Sequence, residues 1–184
     1  GICDINDSLL RSLRYKNLLD DPLRILRCFR FVSELNFHIE PRILEFIELN
    51  KFRLKTVSVE RIQYELKRIV QGKEALKTVE FLNEIKIFDW TQSYENNHSN
   101  KLLNINFDNF LQDEIDQFFP IAYLKELLKE PVLTKLKFSK SDTFAINSLR
   151  RWSEKLKEKS IMHFTEIERF DLHKDLEMIL PAFI

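Results

Sequence analysis

The chain has 184 residues, 44% of them hydrophobic and 32% charged, with 29 basic side chains balancing 29 acidic ones. This describes a globular protein, one elongated unit or two small domains, and it excludes attraction of a polyanion by net charge alone. Glycine occurs only at positions 1 and 72, so a Gly-rich nucleotide loop is ruled out and a hairpin-rich sheet is disfavoured.

From the N-terminus, "GICDIND" starts abruptly and reads like the interior of a longer protein. The stretch "LLDDPLRILRCFRF" at 18–31 places Asp20, Asp21 and Pro22 ahead of an apolar helical repeat running through 22–35. Asp21 before proline is a standard helix start, its carboxylate free to accept from first-turn amides. Asn36 stands where a left-handed residue would close that helix. Helical periodicity continues at 41–49, at 58–70 behind Ser58 as N-cap with Glu60 in the first turn, and at 73–85. The Asn-rich segment 89–108 lacks sustained period and is the expected linker. Helical patterns resume at 109–128, 141–158 and 172–180. The expectation is an all-α protein with a helical unit at 1–88 and a second at 109–184.

The acids before Pro22 are explained by capping and by local pairing with Arg24, worth a few tenths of a kcal/mol. The arginines are less well explained. Arg24, Arg27 and Arg30 follow one another around one side of the helix, and only Arg30 has an acid four residues ahead, at Glu34. An aspartate and an arginine one turn apart can read a nucleobase. Cytosine and adenine each present an amino donor beside a ring-nitrogen acceptor, which suits a carboxylate next to a guanidinium. Guanine and uracil put a carbonyl oxygen against that carboxylate and are rejected. Asp21 and Arg24 could therefore select C and A. A second candidate is the segment 51–73, with seven Lys/Arg against two acids, a local balance of +5 that could face phosphates or could be a solvated helix face.

These residues carry a family resemblance. "DDPLRILRCFRF" resembles the acidic-Asp-Pro-x-Arg-x-x-Arg signature of class II tRNA nucleotidyltransferases and bacterial poly(A) polymerases, "SVERIQYEL" at 58–66 resembles their second helical signature, and "GICDI" resembles the end of their hinge motif. The resemblance implies an elongated helical neck and body without the α/β head that carries metal-binding carboxylates. It implies that Asp21 and Arg24 read the base, with Asp20 in place of the usual glutamate and Arg27 at phosphate or bracing the site. Glu60, Arg61 and Glu65 would support the base-reading helix, and Lys67, Arg68 and Lys73 would meet RNA. The implied partners are the tRNA 3′ end, CTP, ATP and the protein's own head. Mg²⁺ would be held by that head and not by this chain, which alone is expected to be inactive. Cys28 replaces a small residue, and Asn36 replaces glycine.

Other candidates are weaker. His38, His98, His163 and His173 are scattered without metal-ligand spacing. Phe118 and Phe119 read as core. Cys3 and Cys28 form neither a disulfide framework nor a zinc site, which suggests a reduced, cytoplasmic setting, and no apolar run reaches the roughly 18 residues of a membrane span. The alternatives to a tRNA nucleotidyltransferase are a bacterial poly(A) polymerase and a noncatalytic helical RNA-binding module.

Overall fold

A computed structural model describes residues 2–12, 14–91, 120–125, 127–128 and 130–176. The described helices are α1 (Ile2–Asn6), α2 (Lys16–Asp20), α3 (Leu23–Leu35), α4 (Pro41–Asn50), α5 (Val59–Val70), α6 (Ala75–Glu84), α7 (residues 120–125), α8 (Glu130–Lys135), α9 (Lys140–Glu158) and α10 (Glu166–Leu176). Short 3₁₀ turns occupy Lys51–Thr56, Asp89–Thr91 and Ile161–His163.

The central element is α3. Leu23, Ile25, Leu26, Phe29 and Val32 are buried on it, at the three- and four-residue spacing that makes one apolar face. Asn36 takes φ 53° and ψ 38°, the left-handed conformation its short side chain tolerates, and its amide donates to the Phe31 and Val32 carbonyls. The chain then adds something the periodicity does not foretell. Leu9–Leu10 (β1) pairs in parallel with His38–Ile39 (β2), tied by the His38 amide to the Ser8 carbonyl at 2.7 Å and the Glu40 amide to the Leu10 carbonyl at 3.1 Å. Two residues per strand leave no readable alternation.

Helix α5 lies against α3 through Ile62, Glu65, Leu66, Ile69 and Val70. Contact is closest where the Ser33 hydroxyl donates to the Ile69 carbonyl at 2.5 Å and the Glu74 amide donates to the Ser33 carbonyl at 2.9 Å. Gly72 sits at that crossing. A Cβ there would meet the Ser33 hydroxyl and come within 2.6 Å of the Ser33 carbonyl carbon and oxygen. Glycine is required by space rather than by its backbone angles, since Gly72 does not have positive φ.

One main core runs from Leu18 to Phe88 and continues through Tyr123, Leu128, Leu133 and Ile146. A smaller cluster gathers Leu149, Trp152, Phe164 and Leu176. Of the predicted linker, Asp89–Thr91 is the 3₁₀ turn just named, with Thr91 buried, and 92–108 lies outside the described residues, as do His98, Phe118 and Phe119. The predicted 172–180 helix starts earlier than expected, at Glu166, and is described as far as Leu176; 177–180 lies outside the described residues. Its start is set by a capping box: the Thr165 hydroxyl accepts from the Glu168 amide at 3.2 Å while Glu168 accepts from the Thr165 amide at 2.8 Å. No described helix is long and apolar enough to cross a membrane.

Candidate nucleotide-binding site

The residues before α3 are arranged differently from the local capping scheme. Asp20 ends α2, and Asp21 is extended (φ −135°, ψ 90°) between α2 and α3. No side chain caps α3. The Asp21 main-chain carbonyl, rather than its carboxylate, accepts from the Arg24 amide at 3.0 Å. The Asp21 carboxylate is engaged by a residue 40 positions away: Arg61 Nη2 donates to Oδ1 at 3.2 Å and Oδ2 at 3.1 Å. The predicted pairing of these acids with Arg24 is thus replaced by a link from α5. Ser58 does hold the N-cap position of α5, but its hydroxyl makes no cap hydrogen bond.

Arg24 and Arg27 project from the exposed side of α3 into one cavity of about 470 Å³, whose wall also includes Arg11, Asn17, Cys28 and Phe31. Such a volume lies within the range that small-molecule ligands occupy. Among the described residues neither Arg24 nor Arg27 has an acid within 4 Å. Cys28 is mostly apolar in setting, and burial pushes its thiol up to about 11 despite the opposing charge of Arg27, so it stays neutral at physiological pH. Arg11 was not foreseen. It lines the cavity from the segment directly after β1, the strand that pairs with β2.

Arg30, the third arginine of the series, has a different fate. It is buried, with Nη1 3.1 Å from Glu65 and Nε 3.6 Å from Glu34. Burial raises the Glu65 carboxyl above its ordinary value, opposed by the charges of Arg30, Arg27 and Arg68. Glu34 in turn accepts Arg68 at 2.7 Å, and Arg68 also donates to the Tyr64 hydroxyl at 3.4 Å. From α5, Glu65 therefore reaches α3 and Arg61 reaches Asp21 in the connection before it, whereas Glu60 is exposed in the first turn of α5.

The basic segment 51–73 is not one positive surface. Lys51 pairs with Asp89 at 3.7 Å, Arg61 with Asp21, Lys67 with Asp142 at 3.8 Å and Arg68 with Glu34. Among the described residues, Arg53, Lys55 and Lys73 keep no acidic partner. His38, His163 and His173 are exposed, and no group of three or more His, Cys, Asp or Glu among the described residues could hold a metal ion. The described side chains do not form the two-metal centre that phosphoryl transfer requires.

The family model described as "Probable RNA and SrmB- binding site of polymerase A" matches residues 36–92. CCA-adding enzymes of Staphylococcus aureus, strains Newman and COL, are each 30% identical over 104 residues, covering 55% of this chain and 26% of theirs. The chain thus spans about a quarter of the length of the curated relatives it matches. Its fold is that of a CCA-adding enzyme solved with CTP (TM-score 0.71, 19% identity) and of the Thermotoga maritima CCA-adding enzyme complexed with tRNA (TM-score 0.70, 16% identity). All of this chain superposes on 48% and 49% of those two. The mostly helical chain is thus similar in sequence to CCA-adding enzymes over 104 residues and shares the fold of about half of a CCA-adding enzyme chain of known structure.

Proposed function

We propose that this chain is the base-recognition and tRNA-binding portion of an RNA 3′-terminal nucleotidyltransferase that adds C and A from CTP and ATP to tRNA. The observation that carries the reading is the pair of guanidiniums, Arg24 and Arg27, without an acidic partner among the described residues and facing one nucleotide-sized cavity; Asp21, three residues before Arg24, is not among the residues that line it. In this reading Arg24 donates to the ring nitrogen of cytosine or adenine, and Asp21 accepts from the amino group. Arg61 fixes the Asp21 carboxylate while leaving lone pairs free, since both of its contacts come from a single nitrogen. Arg27 serves the phosphate side or braces the cavity, and Asp20, exposed at the end of α2, adds negative potential near the amino group. The attacking 3′ hydroxyl, its metal ions and the departing pyrophosphate belong to the catalytic head. Relatives bound to CTP, ATP and tRNA support the assignment by their chemistry.

The test is Arg24→Ala in the full-length protein, with tRNA lacking its terminal CCA and with CTP and ATP supplied separately. Loss of one charged hydrogen bond predicts a drop in kcat/KM of about 10- to 150-fold for both nucleotides. The melting temperature stays within a degree or so, because Arg24 is exposed and has no acidic partner among the described residues. Undiminished incorporation would refute the base-reading role. Growth of a long A tail on this tRNA would favour the polymerase branch of the family.

A further inference from the structure

With four of the seven cations of the 51–73 segment held by acids, the positive charge still available concentrates at the Lys51–Thr56 turn. There Phe52 is 48% exposed, a large aromatic ring left in solvent. The Arg53 guanidinium lies 5.8 Å from the ring centroid and the Lys55 ammonium also 5.8 Å, so both cations flank one ring. Neither has an acidic partner among the described residues. The Arg53 Nε is buried without a hydrogen-bond partner, which leaves a partly desolvated cation uncompensated. A half-exposed aromatic ring with two unneutralised cations beside it is the chemistry by which single-stranded nucleic acid is held: a base stacks on the ring and neighbouring phosphates meet the charges. An apolar partner would not use the cations, and an acidic peptide would not need the bare ring.

We infer that the Lys51–Thr56 turn is an RNA-contact surface on which Phe52 stacks an unpaired base and Arg53 and Lys55 engage the adjoining phosphates. The inference rests on the RNA-binding reading above, and it places the contact on residues other than Lys67 and Arg68, whose charges are taken up within the fold. The turn lies inside the 36–92 segment that matches the RNA-binding family model.

The experiment measures binding of the full-length protein to tRNA lacking CCA by fluorescence anisotropy, at several salt concentrations, for wild type, Phe52→Ala, Phe52→Tyr and the double variant Arg53→Gln/Lys55→Gln. Removing one stacking ring should weaken binding by about 5- to 150-fold with the salt slope unchanged, and Phe52→Tyr should restore it. Removing two phosphate contacts should lower the slope of log affinity against log salt by about 1.4. Binding by Phe52→Ala within twofold of wild type, or an unchanged slope in the double variant, overturns this inference and leaves the base pocket standing. Failure of the wild-type protein to bind tRNA at all overturns both. Weakened Phe52→Ala binding that Phe52→Tyr does not rescue, together with a lowered melting temperature, means the ring is structural and likewise refutes the contact.

Discussion

Replacing Gly72 by alanine should destabilise the protein strongly, against the usual trend. A glycine exchanged for alanine at an unstrained, open position gains about 0.4–1 kcal/mol by restricting the unfolded chain. Here the added Cβ would fall 2.6 Å from both atoms of the Ser33 carbonyl, and main chain cannot swing aside as a side-chain tip can. Carbon atoms at rest sit about 3.5 Å apart or more, so α3 and the α5–α6 connection must separate by roughly 1 Å. That movement pulls on two hydrogen bonds, Ser33 hydroxyl to Ile69 and Glu74 amide to Ser33. Overpacking at about 1–3 kcal/mol and the weakening of a buried hydrogen bond at about 1 kcal/mol add to roughly 3 kcal/mol. For a chain of this size the melting temperature should fall by about 6–12 °C, read by circular dichroism and by urea titration at constant m-value. A Gly72→Ala protein as stable as wild type, or more so, would show that the α3–α5 crossing is looser than its geometry says.

Two further outcomes follow from charge placement. Arg30→Met leaves Glu65 buried without its cation, so urea unfolding at pH 7 should show a loss of about 3–5 kcal/mol. Because burial already favours the protonated Glu65 carboxyl, the deficit should shrink as pH falls and the group neutralises; an equal deficit at pH 7 and pH 4 would contradict this. Glu168 is held down to about 2, from an ordinary 4.5, chiefly by the Thr165 amide and then by Lys159. A lowered carboxylate stabilises above its unfolded value and loses that contribution as pH falls toward 2. Glu168→Gln should therefore melt below wild type at pH 7 and converge with it near pH 2, in a thermal scan across that range.

What the sequence made legible was local. The apolar spacing of α3 and α5, the left-handed Asn36 and the separation of Arg30 toward Glu34 all depend on neighbours within a turn or two, where pattern carries structure. The pairing of Arg61 with Asp21 and of Glu65 with Arg30 spans 40 and 35 positions, and nothing in spacing alone distinguishes these partners from other acids and bases. The +5 segment illustrates the same limit: a tally of charge cannot see that Asp89, Asp142, Glu34 and Asp21 come to meet it. The start of α10 was readable after all, since Thr165 and Glu168 form a Thr-x-x-Glu box; the weak apolar pattern drew attention to the wrong end of the helix. The small parallel bridge left no trace, and with it Arg11 went unnoticed.

Helix α9 serves two masters: Ile146 belongs to the large core, and from Leu149 onward its buried side chains belong to the small one. Amide hydrogens of α10, which rests on that small cluster, should consequently exchange through a partial opening that costs less than global unfolding. The small cluster can therefore open while the arginine-lined cavity, part of whose wall (Leu18 and Ile43) belongs to the large core, keeps its shape.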